Sequence, residues 1–186
     1  MRLLLSFFYL TVVLGCSSIS DPDKPYSADV YGQRMVTDIR ELLDHLSVDS
    51  AHIIGYSMGA DIANKFREMY PGRVRSCVVG GAGLGVSRGW ADDPHDFNQI
   101  AESLAKGQGW IPLLRQPGAI SPGIASEDEI ADVNTSMTNG QDTEAQSALL
   151  RRYHTLELDP QKLKDNTVRT LIVVGSKDAE HESAIK

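Results

Sequence analysis

Cysteine is scarce: the 186 residues contain two, Cys16 and Cys77. Two cannot build a disulfide scaffold, and neither sits in a Cys-x-x-Cys spacing, so no structural zinc site is predicted. Basic residues are a minority, 18 Lys and Arg against 25 Asp and Glu, for a formal net charge of -7. They form no stripe, the nearest approach being Arg151-Arg152, which excludes a general nucleic-acid binder. No apolar run comfortably reaches the roughly 20 residues that a membrane-spanning helix needs. Tandem repeats and low-complexity tracts are absent. What remains is 41% hydrophobic and 23% charged. That is ordinary globular composition, enough for one sizeable core and too apolar for a disordered chain. Neither a metal nor a cofactor is expected.

Residues 1–19 read as a separate unit. Arg2 gives a minimal positive start, and Leu3 to Val13 is apolar apart from Ser6 and Thr11. That length suits the h-region of an export signal. Val13-Leu14-Gly15-Cys16 resembles the lipobox of bacterial lipoproteins. There, small Gly15 would fit the peptidase cleft and the Cys16 thiol would take the diacylglyceryl group. The resemblance implies export and a lipid anchor at a membrane through Cys16. If the segment is an artefact of a misplaced start, the expected location is cytoplasmic.

Residues 20–186 read as one domain. After a turn-rich linker from Ser20 to Ser27, the apolar positions Met35, Val36, Ile39, Leu42, Leu43 and Leu46 recur at helical steps. Ala51 to Gly55 reads as a short strand, Met58 to Tyr70 as a helix stopped by Pro71, and Val74 to Val79 as a second strand. From Leu84 to Asn166 polar helical segments alternate with loops, and Val168 to Val174 is the clearest buried strand. Strands alternating with helices imply parallel βαβ units, in a sheet covered on both faces.

Gly55-Tyr56-Ser57-Met58-Gly59 carries the chemistry. A lone Gly-x-Ser-x-Gly arises by chance in about one such chain in 15 to 20. Here it lies between a strand and a helix, which is the context a nucleophile elbow requires. Larger residues at the glycine positions would clash with neighbouring backbone. The serine would then point out at the carboxyl end of the sheet, where the helix N-terminus favours negative charge.

On these residues the chain resembles the α/β-hydrolase fold family, in its serine esterase-like branch, from Asp23 to Asp178. The resemblance implies a partial α/β-hydrolase fold: a short parallel sheet, flanking helices, and a helical cap inserted over residues 84–166. It assigns Ser57 as nucleophile, Asp178 as orienting acid, the Met58 backbone N–H as one oxyanion donor, and Gly55 and Gly59 as the elbow glycines. The family order is Ser, Asp, His, and His181 is the sole histidine after Asp178, too close to it to come from a separate loop. His52 is buried by pattern, while His45, His95 and His154 read as surface or cap residues. No His-Gly pair occurs that could mark the second oxyanion loop. The N-terminal strands and the C-terminal His segment are therefore expected to be missing.

The implied function is hydrolysis of an ester or related acyl bond of a small molecule, weak or absent in this chain. The competing reading is a non-catalytic, membrane-tethered binding or scaffold lipoprotein. A dinucleotide site at Gly80-Gly81-Ala82-Gly83-Leu84-Gly85 lacks the Gly-x-Gly-x-x-Gly spacing. An unpaired edge on the Ala51–Gly55 strand would favour self-association.

Overall fold

The computed structural model describes residues 25–82, 96–116 and 126–176. Their order is α1 (Gln33–His45), β1 (Ala51–Tyr56), α2 (Met58–Met69), β2 (Val74–Gly80), α3 (Phe97–Ala105), α4 (Ile111–Leu114), α5 (Glu127–Thr138), α6 (Thr143–Arg151), α7 (Pro160–Lys164) and β3 (Thr170–Val173). Two compact units divide these residues, one holding 36–82 and 158–176, the other 25–35, 96–116 and 126–157.

The first unit is built on a parallel sheet of order β1-β2-β3. Side chains alternate between the two faces of a strand, and the face bearing Ala51, Ile53, Gly55, Cys77 and Val79 is buried. It packs on α2, where the Cys77 thiol points at the Ala63 carbonyl. Phe66, Ile62, Leu43, Val36 and Ile39 complete the core, each contributing roughly 1.5–3 kcal/mol of hydrophobic burial.

The other face is open. Ile54, Tyr56, Leu171 and Val173 are 45%, 74%, 59% and 52% exposed. The strand register sets them in two rows, Ile54–Val78–Leu171 and Tyr56–Gly80–Val173. Three expectations are corrected by this. The described sheet is packed on one face rather than two. His52 is exposed, its Nδ1 sharing a hydrogen bond with Ser76 Oγ at 2.8 Å. The last strand is half-exposed and runs only from Thr170 to Val173. The first two share a cause: alternate residues of a strand share a face, and α2 packs on the face that bears Ile53 and not on the one that bears His52 and Ile54.

Helix α2 is buried from Gly59 to Glu68, charged residues included. Lys65 Nζ meets Glu68 Oε1 at 2.6 Å, and Glu68 Oε2 accepts the Asp159 N–H at 2.7 Å. Arg67 Nε donates to Asn64 Oδ1, while Asn166 Nδ2 donates to the Arg67 carbonyl. Lys65 and Glu68 are therefore paired where they are desolvated, as burial demands. The same bonds fasten α2 to the chain that leads into β3.

In the second unit, Asp96, Ser126 and Asp142 cap α3, α5 and α6, with Ser126 and Glu129 forming a reciprocal capping box. α3 packs on α6. Ser147 Oγ donates to the Ala101 carbonyl at 2.7 Å, and the Phe97 and Tyr153 rings stack 4.9 Å apart. The helix expected to begin at Ala28 is two pieces, a 3-10 turn Ala28–Val30 and then α1. Gly32, at φ 68, separates them.

Candidate functional site

β1 runs one residue further than its apolar pattern, through Tyr56, and the chain then reverses into α2 at Ser57. Ser57 has φ 52 and ψ -128, a left-handed conformation that costs a non-glycine residue on the order of 1–3 kcal/mol. The surroundings hold it there. Its N–H donates to the Gly80 carbonyl at 2.8 Å, and its own carbonyl accepts the Ala60 N–H at 2.7 Å. Serine at a helix N-cap ordinarily bonds its hydroxyl to the first-turn N–H groups. Ser57 makes no such bond, and its side chain is exposed at the end of the sheet.

The first glycine of the motif is explained by one contact. A Cβ on Gly55 would run into the carbonyl oxygen of Gly59 and lie 2.7 Å from the Ala60 nitrogen. The sharp turn brings the strand's last buried position onto the backbone of the helix it starts. Met58 is the first residue of α2, so its N–H is among the four that a helix leaves without an intrahelical acceptor. Beside an exposed hydroxyl, that N–H and the helix dipole make a place where negative charge is favoured.

The strands are parallel and Val173 is in register with Gly80 and Tyr56. The chain beyond β3 therefore leaves from the end of the sheet where Ser57 stands. Asp178, the expected acid, lies outside the described residues, as do His95, His181, Cys16 and residues 83–85 of the glycine-rich stretch. Two of the placed histidines belong to the unit that holds Ser57. His45 ends α1 and His52 lies near the start of β1, both toward the opposite end of the sheet. His154, in a 3-10 turn of the second unit, is exposed.

Elsewhere the described residues offer little chemistry. Burial pushes the Cys77 thiol up to about 11, against the pull of Arg67, so it stays protonated and unreactive at neutral pH. No group of His, Cys, Asp and Glu among the described residues could hold a metal ion, and no described helix is long and apolar enough to cross a membrane. The second unit has an open pocket of about 510 Å³ lined by Gln99, Ser103, Gln108, Ile111, Pro112 and Arg115. Its one cation, Arg115, is held by Glu127 at 2.8 Å.

Sequence reasoning missed Tyr56, which lies against the backbone of Gly80 and Gly81. The available signal was a pair of glycines closing one strand beside an aromatic closing its neighbour.

A parallel sheet whose first strand turns sharply through Gly-x-Ser-x-Gly into a buried helix defines an α/β protein of the hydrolase type. A family model described as the alpha/beta hydrolase fold matches residues 14–113, more than half of the chain, and the chain belongs to that family. A Bacillus subtilis protein provisionally named 2-succinyl-6-hydroxy-2,4-cyclohexadiene-1-carboxylate synthase is 33% identical over 69 residues, 37% of this chain and 25% of that protein. Among solved structures, a carboxylesterase of the thaumarchaeon Nitrososphaera gargenis superposes with a TM-score of 0.58 at 19% identity, covering 89% of this chain and 60% of that one. A hydrolase from Oleispira antarctica gives 0.53 at 18% identity, with the same coverage. These two likenesses establish the fold. The chain thus spans a quarter of the curated relative and about three-fifths of the solved structures, and what it carries is a partial α/β-hydrolase fold.

Proposed function

We propose that this protein is a serine hydrolase, or the nucleophile-bearing part of one, acting on an ester or related acyl bond of a small molecule. The observation that carries the reading is the backbone of Ser57: a non-glycine residue at φ 52, between β1 and α2, with its hydroxyl exposed and uncommitted to the helix end. In this reading Ser57 Oγ attacks the acyl carbon and the Met58 N–H faces the oxygen on which charge develops. Asp178 orients the base that takes the serine proton and returns it to the alcohol released as the substrate's acyl C–O bond breaks, and water then cleaves the acyl-enzyme to the acid and free Ser57. The likeness to a carboxylesterase supports the substrate class.

A fluorophosphonate tests this, because a single attack per molecule over hours suffices to leave an adduct. Mass mapping should find the adduct on Ser57 at least about ten-fold above any other serine, since only an oriented hydroxyl gains from the helix N-terminus. It should be absent from Ser57→Ala. An unlabelled Ser57, or labelling spread evenly over surface serines, would overturn the reading.

We also propose that Cys16 carries a lipid anchor and that copies of the chain associate through the outer edge of β1. That edge has no strand partner among the described residues, and it borders the open row Ile54–Val78–Leu171. Fractionation of expressing bacteria, followed by light scattering, reads both. Cys16→Ala should move the protein from the membrane to the soluble fraction, where it should elute larger than a monomer. An unchanged distribution removes the anchor, and a sharp monomer removes the association.

A further inference from the structure

We propose that Tyr56 is a positioning residue, whose ring braces the Ser57 turn against the ends of β2 and β3; the proposal rests on the serine reading above. The ring is placed by its neighbours' lack of side chains. A Cβ on Gly81 would lie 2.8 Å from Tyr56 Cε2 and 2.9 Å from Cζ, and one on Gly80 would lie 3.2 Å from Cδ2. Gly81 also holds φ 60, which glycine adopts without strain. Two glycines thus leave room for one aromatic ring to lie against the peptide between them.

That peptide joins the three strand ends. Its Gly80 side accepts the Ser57 N–H at 2.8 Å, and its Gly81 side donates an N–H to the Val173 carbonyl at 2.9 Å. The first bond holds the left-handed turn at Ser57. The second ties in the strand from which the chain continues toward Asp178. Tyr56 is itself 74% exposed, on the open face of the sheet, and among the described residues its ring supplies the side-chain atoms nearest both glycine Cβ positions. Its removal should let both bonds open more often and should release the turn that aims the hydroxyl. The ring is what matters; the phenol oxygen, 3.3 Å from the Gly81 Cβ position, is incidental.

The test compares wild type, Tyr56→Phe and Tyr56→Ala by amide hydrogen exchange and by the rate of fluorophosphonate labelling at Ser57. In Tyr56→Ala the Ser57 and Gly81 amides should exchange at least about ten-fold faster, while Ile53 and Val79 in the strand interiors keep their wild-type rates, as expected of a local opening. Labelling should slow with them. Tyr56→Phe should restore both to within about two-fold of wild type, because it keeps the packed ring. Unchanged Ser57 and Gly81 exchange in Tyr56→Ala would overturn the proposal. So would acceleration spread over all the strands, which marks general destabilisation, and so would a Phe variant that behaves like Ala. If wild-type Ser57 takes no label, the hydrolase reading fails on that result alone, and the exchange rates still decide whether Tyr56 braces the turn.

Discussion

The purified 186-residue chain should hydrolyse a short p-nitrophenyl ester no faster than its own Ser57→Ala variant. The turn presents a hydroxyl, but a hydroxyl is a poor nucleophile until a base takes its proton. His52 stands five positions back along β1 from Ser57, on the order of 16 Å at the rise of an extended strand. It is also engaged with Ser76. His45 ends the helix that precedes β1, near the strand's far end. His181 follows Asp178 by three residues in sequence, whereas the family order brings the histidine from a separate loop. In enzymes built on this logic, loss of the nucleophile or its histidine lowers turnover by on the order of a million-fold. Loss of one oxyanion donor costs about a hundred- to a thousand-fold. The two overlap, yet either would place the ester rate at background. Slow stoichiometric labelling of Ser57 is compatible with this outcome, since an adduct needs one attack and turnover needs a base in every cycle. Fast hydrolysis abolished by Ser57→Ala would show that a base reaches the serine, and would direct mutagenesis to His95, His154 and His181.

The strand, turn and helix around Ser57 were legible because their pattern is local. Gly55, Ser57 and Gly59 have fixed spacing, and the strand before them and the helix after them are each announced by their own periodicity. The burial of the surrounding elements was not legible in the same way. Helix α2 reads as a stripe of Ile62, Ala63, Phe66 and Met69 with a polar back, yet Asn64, Lys65, Arg67 and Glu68 are buried too. They can be because Lys65 and Glu68 pair with each other, and because partners from Asp159 and Asn166, roughly a hundred residues away in sequence, meet Glu68 and the Arg67 carbonyl. Nothing in a helical period reports partners at such separation. The open sheet face escaped for a related reason. Ile53 and Ile54 are equally apolar neighbours, and only the packing of α2 on one side makes the first 2% and the second 45% exposed. His52 went with Ile54, since alternate residues of a strand share a face.

Gly55→Ala should be strongly destabilising. The new Cβ meets the Gly59 carbonyl oxygen and sits 2.7 Å from the Ala60 nitrogen. These are backbone atoms in the first turn of a helix and cannot rotate aside as a side chain would. Relief requires moving α2 off β1, which would loosen Ile62, Ala63 and Phe66 from the buried sheet face and pull on the Ser57–Gly80 hydrogen bond. Overpacking that a side chain can absorb costs about 1–3 kcal/mol, and a rigid clash should reach at least the top of that range. For a chain of this size, about 3 kcal/mol lowers the melting midpoint by roughly 6–12 °C. The matched control is Gly72→Ala, in the 3-10 turn that follows α2, where an added Cβ meets nothing within 4 Å. That change should be neutral or stabilising by up to about 1 kcal/mol, through the stiffer unfolded chain. Thermal melts of the two variants read by circular dichroism should therefore move apart from wild type in opposite directions, or only the first should move. If Gly55→Ala melts within a degree or two of Gly72→Ala, the strand and helix are not in the contact from which the Ser57 turn takes its shape.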